Sequence, residues 1–219
     1  MTRPRPARAK TASERVRQPT EIRRRLIVEA ARTVISERGL FATTMRDIAQ
    51  AGEVSVGTLT YHFTGIAEIL AEVLQGEMDN FYLPIVDSVR AAPDASAALR
   101  LLVDGFFADD ERTVRHWRLW LDFWSLSAHN PAYAQWQSKA YDLWRADFGQ
   151  VVARGVESGE FRVDDLDVLM TEFLALFDGL AAQAYLPGSS MGPLTARDHL
   201  HGWAQRRLYA ARPRTRRAK

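Results

Sequence analysis

The sequence predicts an all-α protein with a small three-helix head and a larger helical body. Two observations carry that prediction: apolar residues recur at three- and four-residue spacing, and alternating β-branched runs are scarce. With 219 residues, 47% of them hydrophobic, the chain can fill a sizeable core. It contains no cysteine, which excludes a disulfide scaffold and the usual thiolate zinc sites.

The N-terminus has no apolar stretch of signal-sequence type, and the most apolar late segment, Phe173 to Leu186, is interrupted by Asp178 and Gln183. A soluble, cytoplasmic protein without a membrane partner is therefore expected. Charge is uneven along the chain: residues 1–25 carry nine Arg or Lys against Glu14 and Glu21, and Arg212, Arg214, Arg216, Arg217 and Lys219 face no acid. Residues 1–19 read as a basic arm and 212–219 as a basic tail, either meeting phosphate or simply solvated.

The first helix begins at Thr20, an N-cap followed by Glu21, after Pro19 has discouraged helix before it. Ile22, Leu26, Ala30 and Val34, flanked by Ile27, Ala31 and Ile35, make one apolar stripe, and Gly39 suits the stop. The second helix opens at Thr44 with Asp47 as the acidic half of a capping box, and runs to about Ala51. Ser55 caps a third, Val56 to His62, with Leu59 turned inward. Two short helices joined by a tight turn and braced by a longer one are a helix-turn-helix, here within a head of residues 20–65.

The body, residues 66–211, reads as six more helices. A fourth runs from Ile66 toward Val89 with a kink at Pro84, a fifth covers Ala95 to Ala108, and a sixth Arg112 to Ala128. A seventh starts at Asn130-Pro131 and ends near Gly159, and an eighth spans Asp164 to Leu186. After a loop from Pro187 to Pro193, a ninth opens at Thr195, with Asp198 completing its capping box.

In a helix-turn-helix the second of the paired helices lies in the major groove of double-stranded DNA, its first turn at base edges. Val56 offers an apolar contact and Gly57 close backbone approach, while Thr58 and Thr60 can hydrogen-bond or touch a thymine methyl. Arg46, one helix earlier, suits bidentate guanine contact. Thr44, Tyr61 and His62 are placed to donate to phosphates, although Tyr61 and His62 equally suit packing of the head, and the sequence leaves both open.

The stretch TTMRDIAQAGEVSVGTLTYHF, Thr43 to Phe63, resembles the signature of the tetracycline-repressor (TetR) family of bacterial regulators. The resemblance implies an obligate homodimer on a palindromic operator, usually a repressor released by a small molecule. It matches Arg46, Val56, Gly57 and Thr60 to base-reading positions, and Thr44, Tyr61 and His62 to phosphate-binding ones. Two departures stand out. Many members carry Gly directly before the Val that ends the turn, where this chain has Glu53, so Glu53 is expected at positive φ with modest strain. A phosphate-binding Lys common at the start of the fourth helix falls on Ile66, and Arg17, Arg23 and Arg24 beside the basic arm are expected to compensate.

Five of the six tryptophans, Trp117, Trp120, Trp124, Trp136 and Trp144, sit in the predicted sixth and seventh helices. Their spacing, shared with Tyr133 and Ala140, puts each set on one helix face, where it forms either plain core or the wall of a ligand pocket joined by Phe173 and Phe177. Such a wall suits a flat apolar effector or a quaternary ammonium group, with Asp122, Glu172 or Asp178 as counter-charge. The stretch WLDFWSLSAHNPAYAQW, Trp120 to Trp136, is similar to the regulatory domain of the choline-responsive BetI-type branch.

Dimerisation is expected from two stripes, Leu166, Met170, Leu180 and Ala184 on the eighth helix and Leu200, Trp203, Ala204 and Leu208 on the ninth, although part of each stripe equally suits the core of its own subunit and sequence does not apportion them. Effector in the pocket is expected to tilt the fourth helix and move the heads off the operator spacing. No nucleophile with a base, phosphate loop or metal cluster assembles, so no catalytic residue, metal or cofactor is expected. His199 and His201 point to different faces of one helix, and His116 and His129 lie at opposite ends of another. The alternative kept beside this reading is a sequence-tolerant architectural DNA-binding protein without an effector.

Overall fold

The structure, a computed structural model, describes residues 20–209, and every regular element among them is helical. The basic arm and the basic tail lie outside the described residues. No helix among those described is long and apolar enough to cross a membrane.

Helix α1 (Thr20–Arg38) buries Ile27, Val28, Ala31, Val34 and Ile35 and stops at Gly39, whose φ of 83° a residue with a Cβ would adopt only under strain. The first turns of the expected stripe stay wet: Ile22 and Leu26 are exposed, because no described residue packs over that edge. Helix α2 (Met45–Ala51) starts with both halves of its capping box, Asp47 N donating to Thr44 Oγ1 at 3.3 Å and Thr44 N to Asp47 Oδ2 at 2.9 Å. Glu53 in the turn has φ 50°, the one positive value at a non-glycine among the described residues. Ser55 then caps α3 (Val56–His62) by accepting from Thr58 N at 2.9 Å, and Leu59 drops into a head core with Ile48, Ala49 and Phe63.

Helix α4 (Ile66–Glu77) passes through a π-helical turn, Met78–Tyr82, into α5 (Leu83–Arg90). The irregularity expected at Pro84 thus lies one turn earlier. Pro84 has no N–H and crowds the carbonyl four residues back; that carbonyl, Asn80 O, is instead taken by the Arg112 guanidinium.

Four further helices are capped by acidic or amide side chains that each accept a first-turn N–H: α6 (Ala95–Phe106) by Asp94, α7 (Glu111–Ser127) by Asp110, α8 (Pro131–Glu157) by Asn130 and α9 (Leu166–Ala184) by Asp165. Helix α10 (Pro193–Arg207) differs from expectation. Pro193 opens its first turn after Gly192, with no side-chain cap, so Thr195 and Asp198 already lie inside the helix.

Helix α10 packs on α9 and α6. That arrangement corrects the expected dimer stripes: Met170, Leu180, Ala184, Leu200, Ala204 and Leu208 are buried inside their own chain, and half-buried Trp203 lies 5.6 Å from the Phe173 ring. Only Leu166 of that set is exposed. The most apolar faces of α9 and α10 go to the core of the chain, since an intramolecular contact already removes them from water. Their outward faces carry smaller residues, Ala175 and Gly179 among them, with Val168, Leu186 and Leu194 exposed at the margins.

Candidate DNA-reading surface and ligand cavity

On the head, Thr44, Arg46, Val56, Gly57, Thr60 and Tyr61 all reach solvent, Tyr61 with 80% of its surface exposed. Thr58 is half-buried, and its hydroxyl lies 2.8 Å from Ser55 Oγ, the same oxygen that accepts the Thr58 N–H of the cap. His62 is half-buried with Tyr61 edge-on at 5.2 Å, so it serves the packing of the pair while keeping an open side. Arg24, expected to help with phosphate, is a brace. It bonds Glu68 and Glu72 of α4, donates to His62 O and lies 4.1 Å from the centre of the Phe63 ring. That Arg24 bond, with the Thr64 N–H and hydroxyl, holds the Glu68 carboxyl at about 2. Ile66 is half-buried and packs on the core.

In the body a cavity of about 40 Å³ opens among α7, α8, α9, the π turn and the end of α6. Trp117, Trp120, Trp124, Trp144 and Phe177 line it as expected. Tyr133, Trp136 and Phe173 do not. Trp136 and Tyr133 form a second layer, at 5.2 and 5.8 Å from the Phe123 ring, and Trp136 backs Trp120 at 5.5 Å. Phe173 is fully buried and stacked 3.8 Å from Phe148. One turn of helix separates wall from core on both α8 and α9, and spacing alone cannot say which turn faces the gap.

The polar atoms of the wall are informative. Trp117 Nε1 donates to Phe106 O at 2.8 Å, but Trp120 Nε1, Trp124 Nε1 and Gln137 Oε1 are buried and lack a partner among the described residues. Asp178 accepts a 2.6 Å bond from Tyr141 and no cation pairs with it among the described residues. Burial pushes its carboxyl up to about 6, against the pull of that one hydrogen bond. The other expected counter-charges are occupied elsewhere: Asp122 Oδ2 accepts from Leu40 N at 2.7 Å, and Glu172 bonds Arg207 at 2.8 Å.

Residues 27–73 match the family model of bacterial regulatory proteins of the tetR family, and residues 95–208, more than half of the chain, match that of the BetI-type transcriptional repressor C-terminal domain. The chain belongs to the TetR family. Among relatives of this TetR-family regulator, the transcriptional repressor KstR2 of Mycobacterium tuberculosis is 30% identical over 188 residues, 84% of this chain and 90% of that one. The regulator BetI of Burkholderia thailandensis is 28% identical over 177 residues, 77% and 84% of the two chains. A transcriptional regulator from Saccharomonospora viridis, solved in complex with choline, superposes with a TM-score of 0.82 at 28% identity, covering 87% of this chain and all of that one. A TetR regulator from Haloarcula marismortui shares the fold, with a TM-score of 0.75 at 20% identity over 86% of this chain.

The family consists of DNA-binding transcription regulators rather than enzymes, and the helices of this TetR-family regulator are deployed accordingly: a polar, accessible α3 and a body built around a cavity. The residues that sequence reasoning missed, Met78, Tyr82, Phe106, His116, Gln137, Tyr141 and Leu174, complete the cavity wall. Gln137 and Tyr141 each follow a member of the expected α8 stripe, Trp136 and Ala140, by one residue, so widening that stripe on its 137/141/144 side would have found them. Met78 and Tyr82 had no such signal, because the π turn that aims them breaks the helical period.

Proposed function

We propose that this protein is a homodimeric repressor that binds a palindromic operator through α2 and α3 and releases it when a small organic cation occupies the body cavity. The head comprises residues 20–65, and residues 66–211 hold the effector and the dimer contact. Arg46, Val56, Gly57 and Thr60 meet base edges, while Thr44, Tyr61 and His62 meet phosphates. The outward faces of α9 and α10, centred on Ala175 and Gly179, form the dimer contact, since small residues permit close helix approach.

The observation that carries the effector reading is Asp178, a half-buried carboxylate in the same cavity wall as Trp144 and Phe177, bonded among the described residues only by Tyr141. Aromatic faces and one desolvated carboxylate are a receptor for a cation. The indole N–H groups of Trp120 and Trp124 and Gln137 Oε1 add hydrogen-bonding capacity for a second, polar end of the effector. The choline bound by the Saccharomonospora viridis regulator is a ligand of this kind. An architectural role without an effector leaves this wall unexplained.

The test compares choline with its neutral isostere 3,3-dimethyl-1-butanol, by calorimetry on the wild type and on Asp178→Asn. Choline is expected to bind the wild type at least about tenfold more tightly than the alcohol, and Asp178→Asn to erase the difference. Equal binding of the two by the wild type would sink the cation reading.

A further inference from the structure

Three residues, one in the cavity wall and two behind it, form a largely buried chain from the cavity to α1. His116, on α7, lines the cavity and is itself buried, with Phe81 of the π turn stacked 3.6 Å from its ring. Its Nδ1 lies 2.7 Å from Glu77 Oε2, and the other oxygen of Glu77 accepts from Arg32 of α1. Glu77 is 2% exposed, so its charge depends on these two partners, one from the body and one from the head. Burial works against that charge, but His116 and Arg32 together outweigh it and keep the carboxyl below its ordinary range. Because Glu77 is ionised, His116 Nδ1 carries the proton and donates.

Glu77 is also the last residue before the π turn, two residues of which, Met78 and Tyr82, line the same cavity. The cavity therefore meets Glu77 twice, through the imidazole across from it and through the backbone that carries it. The cavity is small, about 40 Å³, and the π turn is part of its wall, so an organic ligand larger than that space shifts these walls as it settles. A buried carboxylate held by two bonds tolerates little displacement, because breaking either leaves one of its oxygens with neither partner nor solvent. Such an element has discrete arrangements rather than a continuum.

We infer that Arg32, Glu77 and His116 form the positioning relay through which occupancy of the cavity sets the placement of α1, and with it the head. The inference rests on reading the cavity as the effector site. None of the three touches DNA, and only His116 borders the effector. Removing Arg32 or Glu77 therefore weakens the coupling between the two bindings rather than either binding alone.

The experiment uses the full chain, choline chloride as probe and a duplex selected by the wild type from a random-sequence library. Tryptophan fluorescence gives the choline Kd with and without saturating duplex. In the wild type the duplex is expected to raise that Kd on the order of tenfold. In Arg32→Gln and Glu77→Gln the ratio falls below about twofold while the Kd of the free protein stays within about threefold. Arg197→Gln, which removes a surface pair with Asp104, behaves as the wild type. Relay variants that keep the wild-type ratio overturn the inference, and so does a wild type that binds choline with a ratio of one, which leaves the cation reading standing. If choline fails to bind at all, the cation reading falls and amide hydrogen exchange judges the relay: Arg32→Gln must alter protection of residues 113–120, and His116→Gln that of residues 28–35. Absence of these reciprocal changes overturns the relay.

Discussion

Asp178 places a half-buried carboxyl group where water stabilises its charge less than in the unfolded chain, and both stability and binding inherit the consequence. In the unfolded chain the group loses its proton near 3.8, whereas in the folded protein it keeps it up to about 6. Between those values the native state binds more protons than the unfolded state, so stability falls as pH rises through this window, and above it the whole cost is carried. Asp178→Asn is expected to raise stability by roughly 1–3 kcal/mol at pH 8 and to leave it nearly unchanged at pH 4, as thermal unfolding at the two pH values would show. A cation needs the ionised form, so choline affinity of the wild type should decline as pH falls through about 6. A flat profile from pH 5 to 8 would remove Asp178 from the site. The sequence named Asp178 as one of three counter-charges without separating it from Asp122 and Glu172. The difference lies in which neighbours reach each carboxylate, Leu40 N and Arg207 in the rejected cases, and both of those partners come from distant parts of the chain.

Among the elements, the turn between α2 and α3 shows how local chemistry was legible from the sequence down to a backbone angle. Thr44, Asp47 and Ser55 specify their own helix starts through bonds to residues three positions on, and the shift of glycine to position 52 predicts the positive φ found at Glu53. Glu53→Gly is expected to stabilise the head by up to about 1 kcal/mol, and Thr44→Ala to destabilise it by about 1 kcal/mol, both measurable by urea unfolding. What sequence could not supply was which side of a helix meets which neighbour. The π turn and the exchange of Tyr133, Trp136 and Phe173 for Met78, Tyr82 and Tyr141 in the wall follow from tertiary contacts. Capping is written within four residues, and packing is not.

At the scale of the whole molecule, an apolar stripe on α9 or α10 satisfies a protomer core and a dimer contact equally well on paper. In the structure the core takes the larger residues, leaving the Ala175 and Gly179 face outward. Gly179→Arg, whose side chain meets open space in the protomer, is expected to fold normally yet sediment as a monomer and lose at least about tenfold in operator affinity. An unchanged dimer would move the contact elsewhere.

The smallness of the cavity also has a bearing on time. If a ligand larger than about 40 Å³ has to shift α7, α8 and the π turn to settle, its binding is limited by that shift rather than by diffusion. Stopped-flow association rates are then expected to level off at high choline concentration, at the opening rate of the body.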